Sequence, residues 1–403
     1  IDDPRWGPSL AAAILLGPPA FGLSGALPPL LRLAIADVGH LGWHTGGMIA
    51  VSTIGSLVGT WGTAFFLLSW LGGQALVAGF GVIQVLLGLL WWWRTATVRA
   101  PVAAPVVIGL AVLGWFAVHP VQVLPAPVYQ EDSPYQQVRV RDDDLLRYLI
   151  LDRTFHAVMW RADPVDLFLP YSQLMMVALA LVPEASETLI LGHGGGSLAK
   201  WLAQYRPDLH VDAVEVDPAV AAAAERHFEY RPPETHHVYV KDARTFLRGT
   251  TKMYDVIWMD CFARHLIPFH LTTQEFFEEV RAHLKPDGIL AVNLSSGGER
   301  PDQLRAEAVV STLKTVFPVF ESYGVKGPWK TSNPDAQNFI FFAGTRAPSM
   351  TDPAFVQRVA QWMQERRLPP EALTLLASRR TADWPAGTVL TDDFAPFDLL
   401  IGH

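Results

Sequence analysis

The chain has 403 residues, half of them hydrophobic, with 17% charged and a single cysteine, Cys261. Such a composition excludes a disordered or collagen-like chain, and one cysteine excludes an intrachain disulfide or a Cys-rich zinc site. The net charge of −8 offers no Lys/Arg stripe to neutralise phosphates, so nucleic acid is not an expected partner. The first residue is Ile, which leads us to expect a segment ahead of it.

The average hides two populations. Residues 1–130 carry only Asp2, Asp3, Arg5, Arg32, Asp37, Arg94 and Arg99, and all other Asp, Glu, Lys and Arg side chains follow. From Thr45 to Trp93 no charged side chain occurs, a run of 49 residues. A spanning helix needs about 20 apolar residues, so this run predicts two spans hinged near Leu71-Gly72-Gly73. Residues 102–118 predict a third. Residues 8–31 predict a fourth, broken by Gly17-Pro18-Pro19 and Pro28-Pro29, which a bilayer tolerates only where neighbouring protein satisfies the freed backbone groups. A cleaved signal peptide does not fit, because the apolar segments recur. Trp91-Trp92-Trp93-Arg94 reads as an interfacial anchor. With four spans, Arg32, Arg94 and Arg99 share one side, and positive-inside logic would turn the following domain outward. The nucleoside ligand argued below demands the cytoplasmic side instead, and that is the orientation we expect.

From about Val121 the texture changes. Residues 136–141, 146–152 and 156–160 alternate as short antiparallel strands, and 168–182 reads as a helix. Strands 188–192, 210–216, 236–240, 254–259 and 288–294 then alternate with helices 196–205, 218–228, 243–248, 273–284 and 301–316, and strands 319–325 and 337–344 close the series. Alternation at this spacing predicts a parallel, doubly wound α/β sheet with its ligand at the carboxyl ends of the strands. The expected organisation is therefore a transmembrane helical segment (1–120), a small N-terminal β-strand subdomain (121–165) and a Rossmann-like, methyltransferase-like domain (166–403).

Gly192-His193-Gly194-Gly195-Gly196 follows the first strand of that series and opens a helix, where glycine allows close backbone approach and the helix end favours negative charge. A tight turn needing no ligand explains such a stretch as well. The second strand ends in Glu215-Val216-Asp217, placing an acid where it can accept both hydroxyls of a ribose. Asp242-Ala243 ends the third, where a carboxylate can accept from an exocyclic adenine amine. No Gly-Lys-Ser/Thr follows the glycines, which excludes a P-loop. Together the three strand ends point to an adenosine ligand. His265 and His270 flank Asp260 as possible bases or acceptor anchors, or as turn residues. His236-His237 have no carboxylate and cysteine set beside them, and no metal site is expected.

LILGHGGGSLAKWL, VDAVEVDPAV, VKDARTFL and YDVIWMDCF resemble motifs of the spermidine synthase (polyamine aminopropyltransferase) family, a branch of the S-adenosylmethionine methyltransferase-like fold. Glu131-Asp132-Ser133-Pro134-Tyr135-Gln136 and Leu149-Ile150-Leu151-Asp152 resemble its N-terminal strands. DCFARHLIPFHLTTQEFF, the terminal LTDDFAPFDLL and GSLVGTWGTAFFLLSWLGG resemble its membrane-fused branch. The resemblance implies a transferase that binds no permanent cofactor and takes S-adenosylmethionine, or its decarboxylated form, as co-substrate. It implies Asp260, with Tyr171, at the reacting groups, where His270 is the candidate base or anchor named above, and Gln136, Gly192, Gly194, Gly196, Glu215, Asp242 and Ala243 on the nucleoside. It also implies an amine or other small acceptor, contact with membrane lipid and a possible homodimer through the N-terminal strands.

Three departures from the family pattern bear on the acceptor. Gly194 stands where the family carries an Asp toward the donor's propylamine, Ala263 and Arg264 replace an acid and a proline after Asp260, and Tyr171-Ser172-Gln173 replaces Tyr-His-Glu. Undecarboxylated S-adenosylmethionine is then an alternative donor, with Arg264 meeting its carboxylate. Methyl or aminocarboxypropyl transfer to a membrane-delivered acceptor, and a nucleoside sensor without catalysis, are the competing functions.

Overall fold

The computed structural model describes residues 41–67 and 127–396, apart from 153, 262–266, 297, 318–319, 329–336, 346–349 and 382, together with a few isolated positions before 90. The chain divides into two compact units, Ile1–Val98 and Arg99–His403.

In the first unit, helix α1 (Leu41–Gly62) runs into a π-helical turn, Thr63–Leu67. Among the described residues one helical stretch, Thr45–Leu67, is long and apolar enough to cross a membrane. Its 23 residues extend about 34 Å at 1.5 Å per residue, against a hydrocarbon core of about 30 Å. Ile54, Leu57, Val58 and Trp61 lie exposed along it. The other three expected spans and the Leu71-Gly72-Gly73 hinge lie outside the described residues.

The second unit opens with a four-stranded antiparallel sheet in sequential order: β1 (Tyr129–Asp132), β2 (Gln137–Asp142), β3 (Leu146–Leu151) and β4 (Thr154–Trp160). Strand β1 goes beyond the three strands expected here. Residues 168–182 form two short helices, α2 (Pro170–Met175) and α3 (Ala178–Leu181), rather than one. The backbone between them tightens to i→i+3 bonds, Val177 to Leu174 and Ala180 to Val177, which interrupts the α-helical ladder.

The large sheet is built from β5 (Glu187–Leu191), α4 (Ser197–Tyr205), β6 (His210–Glu215), α5 (Pro218–His227), β7 (His236–Val240), α6 (Ala243–Gly249), β8 (Tyr254–Met259), α7 (Gln274–Ala282), β9 (Leu284–Ser296), α8 (Arg300–Val316), β10 (Phe320–Val325) and β11 (Gln337–Gly344), followed by α9 (Pro353–Gln364) and α10 (Ala372–Leu376). Its order is β10-β11-β9-β8-β5-β6-β7. The expectation of an all-parallel sheet needs one correction: β11 pairs antiparallel with both β9 and β10. β11 follows β10 in the chain and pairs between β9 and β10, a placement next to its predecessor that an antiparallel strand reaches without a crossover.

Strand β8 is buried throughout, and its side chains alternate between two cores. Val256 and Trp258 join Trp201, Leu202 and Phe342 on one face, while Ile257 and Met259 join Phe246, Phe277 and Phe341 on the other. That explains why the strand reads as a continuous apolar run, as strands covered on both faces do. A third, smaller core of Val138, Leu149, Met159, Val220 and Phe228 seats the four-stranded sheet on α5.

The helices start where capping chemistry places them. Asp217 accepts from the Ala219 amide ahead of Pro218, and Thr273 accepts from Phe276 to begin α7. Asp260 therefore does not cap the helix that follows it.

Candidate active site

Because β5 through β9 run parallel, their carboxyl ends open on one side of the sheet, and a cavity of about 810 Å³ lies there. Gly192, Gly194, Glu215, Asp242, Ala243 and Asp260 all line it, as do Gln136 from the N-terminal sheet, Tyr171 from α2 and His270. Gly196 sits just behind, in the left-handed region (φ 72°) as the residue before α4.

Gly192 holds the loop against the backbone just past β8. Its φ is 91°, and a Cβ there would run into the backbone carbonyl of Asp260. Gly195 is also close-packed, with the Ala157 side chain 2.8 Å from a hypothetical Cβ, whereas Gly194 faces open space.

Glu215 is buried at the end of β6. Its carboxylate accepts from the Gly194 amide (3.0 Å) and the Asp217 amide (3.1 Å), so it ties the glycine loop to the next turn. Burial pushes its pKa up, against those backbone bonds. Asp217 turns away and serves structure: besides capping α5 it accepts from Ser133 (2.6 Å) and from Gln136 Nε2 (3.3 Å). Those contacts fasten the turn between β1 and β2 to the end of β6.

Asp242 caps α6 through Thr245 (2.9 Å) and is bonded by His270 Nε2 at 2.9 Å. Burial works against its ionisation, but His270 and the Thr245 amide together hold its carboxyl below the usual range. His270, expected beside Asp260, thus bonds Asp242 instead. His265, Ala263 and Arg264 lie outside the described residues.

Asp260 is half-buried just past β8. Its amide donates to Leu191, its Oδ2 accepts from the Tyr171 hydroxyl (3.2 Å) and its Oδ1 accepts from Asn293 Nδ2 (2.8 Å). Burial raises its pKa from 3.8 to about 6, although both side-chain bonds pull it down. A carboxyl titrating near neutrality at the centre of a cavity is suited to accept a proton. Tyr171 is pushed well above its ordinary value by burial and by Asp260, so its hydroxyl stays a donor.

Asn293 on β9 and Asn338 on β11 are the groups that sequence reasoning missed. Asn338 donates to Asn293 (2.9 Å), which donates to Asp260, and both asparagines line the cavity. The signal available was a polar residue at the end of an apolar strand. Gln173, grouped with Tyr171 in the sequence, bonds the Leu167 carbonyl instead of facing the cavity. Cys261 is buried with its thiol pushed well above the ordinary range by burial, which suits a packing residue. His236 packs beside Tyr230, its Nδ1 3.3 Å from the hydroxyl.

Comparison with known proteins agrees with this geometry. A family described as a methyltransferase domain matches residues 189–290. A polyamine aminopropyltransferase of Vibrio vulnificus is 31% identical over 245 residues, 59% of this chain and 78% of that protein. One from Chromobacterium violaceum is 30% identical, over 57% of this chain and 84% of its own length. The fold is also that of solved spermidine synthases: the Thermotoga maritima enzyme superposes with a TM-score of 0.51 at 21% identity, covering 64% of this chain and 84% of that one. A spermidine synthase in complex with the transition state analogue AdoDATO gives 0.52 at 21% identity, with 64% and 85% covered. With its glycine loop, strand-end acids and central carboxylate arranged on that fold, the chain belongs to the polyamine aminopropyltransferase family and is a transferase of that type.

Proposed function

We propose that this chain is a membrane-anchored aminopropyltransferase that moves an alkyl group from decarboxylated S-adenosylmethionine to an amine and releases methylthioadenosine. The observation that carries the reading is Asp260, held by Tyr171 and Asn293 at the centre of the cavity with a pKa of about 6.

The reaction asks for three things: a held nucleoside, an amine stripped of its proton, and a carbon placed in line between nitrogen and sulfur. Glu215 takes the ribose hydroxyls and Asp242, oriented by His270, takes the exocyclic amine of the base. Gln136 closes the nucleoside from the N-terminal sheet, and the small side chain of Ala243 leaves room for the ring. Gly192, Gly194 and Gly196 let the loop backbone lie against the donor. The acceptor arrives as an ammonium and gives a proton to the Asp260 carboxylate. Its freed lone pair forms the new C–N bond, while the C–S pair returns to sulfur and turns the sulfonium into a neutral thioether. Positive charge leaves sulfur and appears on nitrogen, so a carboxylate near both is favourable throughout, and no oxyanion stabiliser is needed.

A second reading keeps the step and changes the donor. Gly194 faces open space, which leaves room for the extra carboxylate of S-adenosylmethionine itself. Incubating the purified full chain with each donor and a panel of amines, then identifying products by mass spectrometry, separates these readings. Methylthioadenosine from the decarboxylated donor is the expected result, and from S-adenosylmethionine it supports aminocarboxypropyl transfer. S-adenosylhomocysteine would mean methyl transfer and overturn both.

Anchoring rests on the uncharged run of 49 residues and on the exposed apolar face of α1. The catalytic unit is read on the cytoplasmic side, where the nucleoside donor is available. Pairing of two copies through the N-terminal sheet is consistent with β1, an edge strand bonded only to β2 among the described residues.

A further inference from the structure

The carboxylate of Asp260 is held by a chain of two carboxamides that begins two strands away. Parallel pairing sets Met259 of β8 level with Val292 of β9, so the next residues, Asp260 and Asn293, stand side by side. In the antiparallel pairing of β9 with β11, Asn293 is opposite Ile340 and Asn338 is opposite Ser295. Asn293 and Asn338 are therefore diagonal neighbours on one face of the sheet. Asn338 Nδ2 donates to Asn293 Oδ1 (2.9 Å), and Asn293 Nδ2 donates to Asp260 Oδ1 (2.8 Å). Asn293 is only 2% exposed, so protein groups rather than bulk water orient its carboxamide, whereas Asn338 is half-buried.

A carboxamide carries an acceptor and two donors on one planar group, and a half-turn about its last bond exchanges them. With its NH2 toward Asp260, Asn293 favours the ionised carboxylate. With its oxygen there, two acceptors would meet unless Asp260 held a proton. The choice between these arrangements decides how readily Asp260 stays a base. Nothing in the shape of Asn293 makes that choice, since the two ends of a carboxamide are nearly the same size. A donor aimed at its oxygen does make it, and that donor comes from Asn338.

Building on the alkyl-transfer reading above, we propose that Asn338 is a positioning residue which, through Asn293, keeps an N–H donor on Asp260 and so preserves its carboxylate as the proton acceptor. Tyr171 holds the other carboxylate oxygen, and Cys261 adjoins Asp260 in the chain. Among the described residues, the remaining ionisable groups lining the cavity are His156 on β4, His193 in the glycine loop, Glu215, Lys241 and Asp242 at the ends of β6 and β7, and Tyr135, His270 and Lys326. A substitution at Asn338 leaves all of them in the chain, so a displaced titration of Asp260 belongs to the amides.

To test this, kcat/KM is followed against pH in the full chain, with the decarboxylated donor, 1,4-diaminobutane as the amine and methylthioadenosine as the product measured. Asn338→Leu removes the donor at similar size on a half-buried site. It should move the acid limb, near pH 6 in the parent, upward by about half to one unit. Asn338→Asp puts an acceptor where the donor was and should move the limb further. In the Asn293→Ala background, Asn338→Leu should add no shift, because the connection is already cut. A limb left in place by Asn338→Leu, or an equal shift in the Asn293→Ala background, overturns the proposal and leaves alkyl transfer standing. Should Asn338→Leu fail to fold, Asn338→Asp decides in the same way. A second measurement needs no turnover: an infrared pH titration of the carboxyl band that Asp260→Asn abolishes, in parent and variant, where the same upward shift is expected. If the parent forms no methylthioadenosine, the alkyl-transfer reading fails, and the infrared titration alone then upholds or overturns the hold of Asn338 on the carboxylate.

Discussion

In the proposed reaction Asp260 is the residue on which the chemistry turns, and its surroundings make that role measurable. Replacing it by Asn removes the proton acceptor but keeps the shape, and should lower kcat by about 10²-fold or more while leaving donor affinity near the parent value. Activity needs the carboxylate form, so kcat/KM should fall as pH drops through about 6. Asn293 donates to the ionised form and pulls that value down. Asn293→Ala should therefore move the acid limb of the profile to higher pH, whereas an unmoved limb would mean that Asn293 only packs. The contrast between these two residues shows what the sequence could reveal. Asp260, Glu215 and Asp242 are carboxylates at the ends of apolar strands, a pattern visible in one dimension. Asn293 gains its meaning only because β9 lies beside β8 and β11 beside β9, an order that no local pattern carries.

At the scale of elements, the C-terminal segment is pinned by one arginine on α6. Arg244 pairs with Asp392 (2.6 Å) and with Glu279 on α7 (2.9 Å), and the Thr273 hydroxyl donates to Asp392 as well. Asp392, in the LTDDFAPFDLL stretch, thereby ties that segment to α6 and to the start of α7. Arg244 is nearly buried while Asp392 is partly exposed, so Asp392→Ala should cost about 1–3 kcal/mol and lower the melting temperature of the catalytic unit. Arg244 and Thr273 hold the Asp392 carboxyl below the ordinary range. Its contribution is therefore complete above the unfolded carboxylate range and is lost as pH falls through the lower folded value. The difference in melting temperature between parent and variant should shrink on acidification, and one constant with pH would argue against an ionic tie. Element types were legible throughout this region because burial on both faces leaves continuous apolar strands. The direction of β11 was not, since a strand buried on both faces reads the same whichever way it runs.

For the whole molecule, the contrast between a charge-poor first part and an acidic remainder is a statement about solvent. α1 carries exposed Ile54, Leu57, Val58 and Trp61, surfaces that water disfavours and acyl chains accept. The full chain should stay with the membrane pellet after alkaline carbonate washing and leave it only with detergent, as judged by immunoblotting. Release by carbonate alone would remove the anchored reading. The two halves of the catalytic cavity differ in a comparable way. At Gly192 the loop backbone touches the strand carrying Asp260 so closely that not even one methyl group fits between them. Enlargement at Gly192 is thereby closed off, because any side chain there displaces the backbone of Asp260. On the opposite side, Lys326 just past β10 and Gln337 at the start of β11 line the cavity, the first exposed and the second half-buried. A library confined to those two positions should therefore change acceptor preference while leaving the acid limb of the pH profile, set at Asp260, in place.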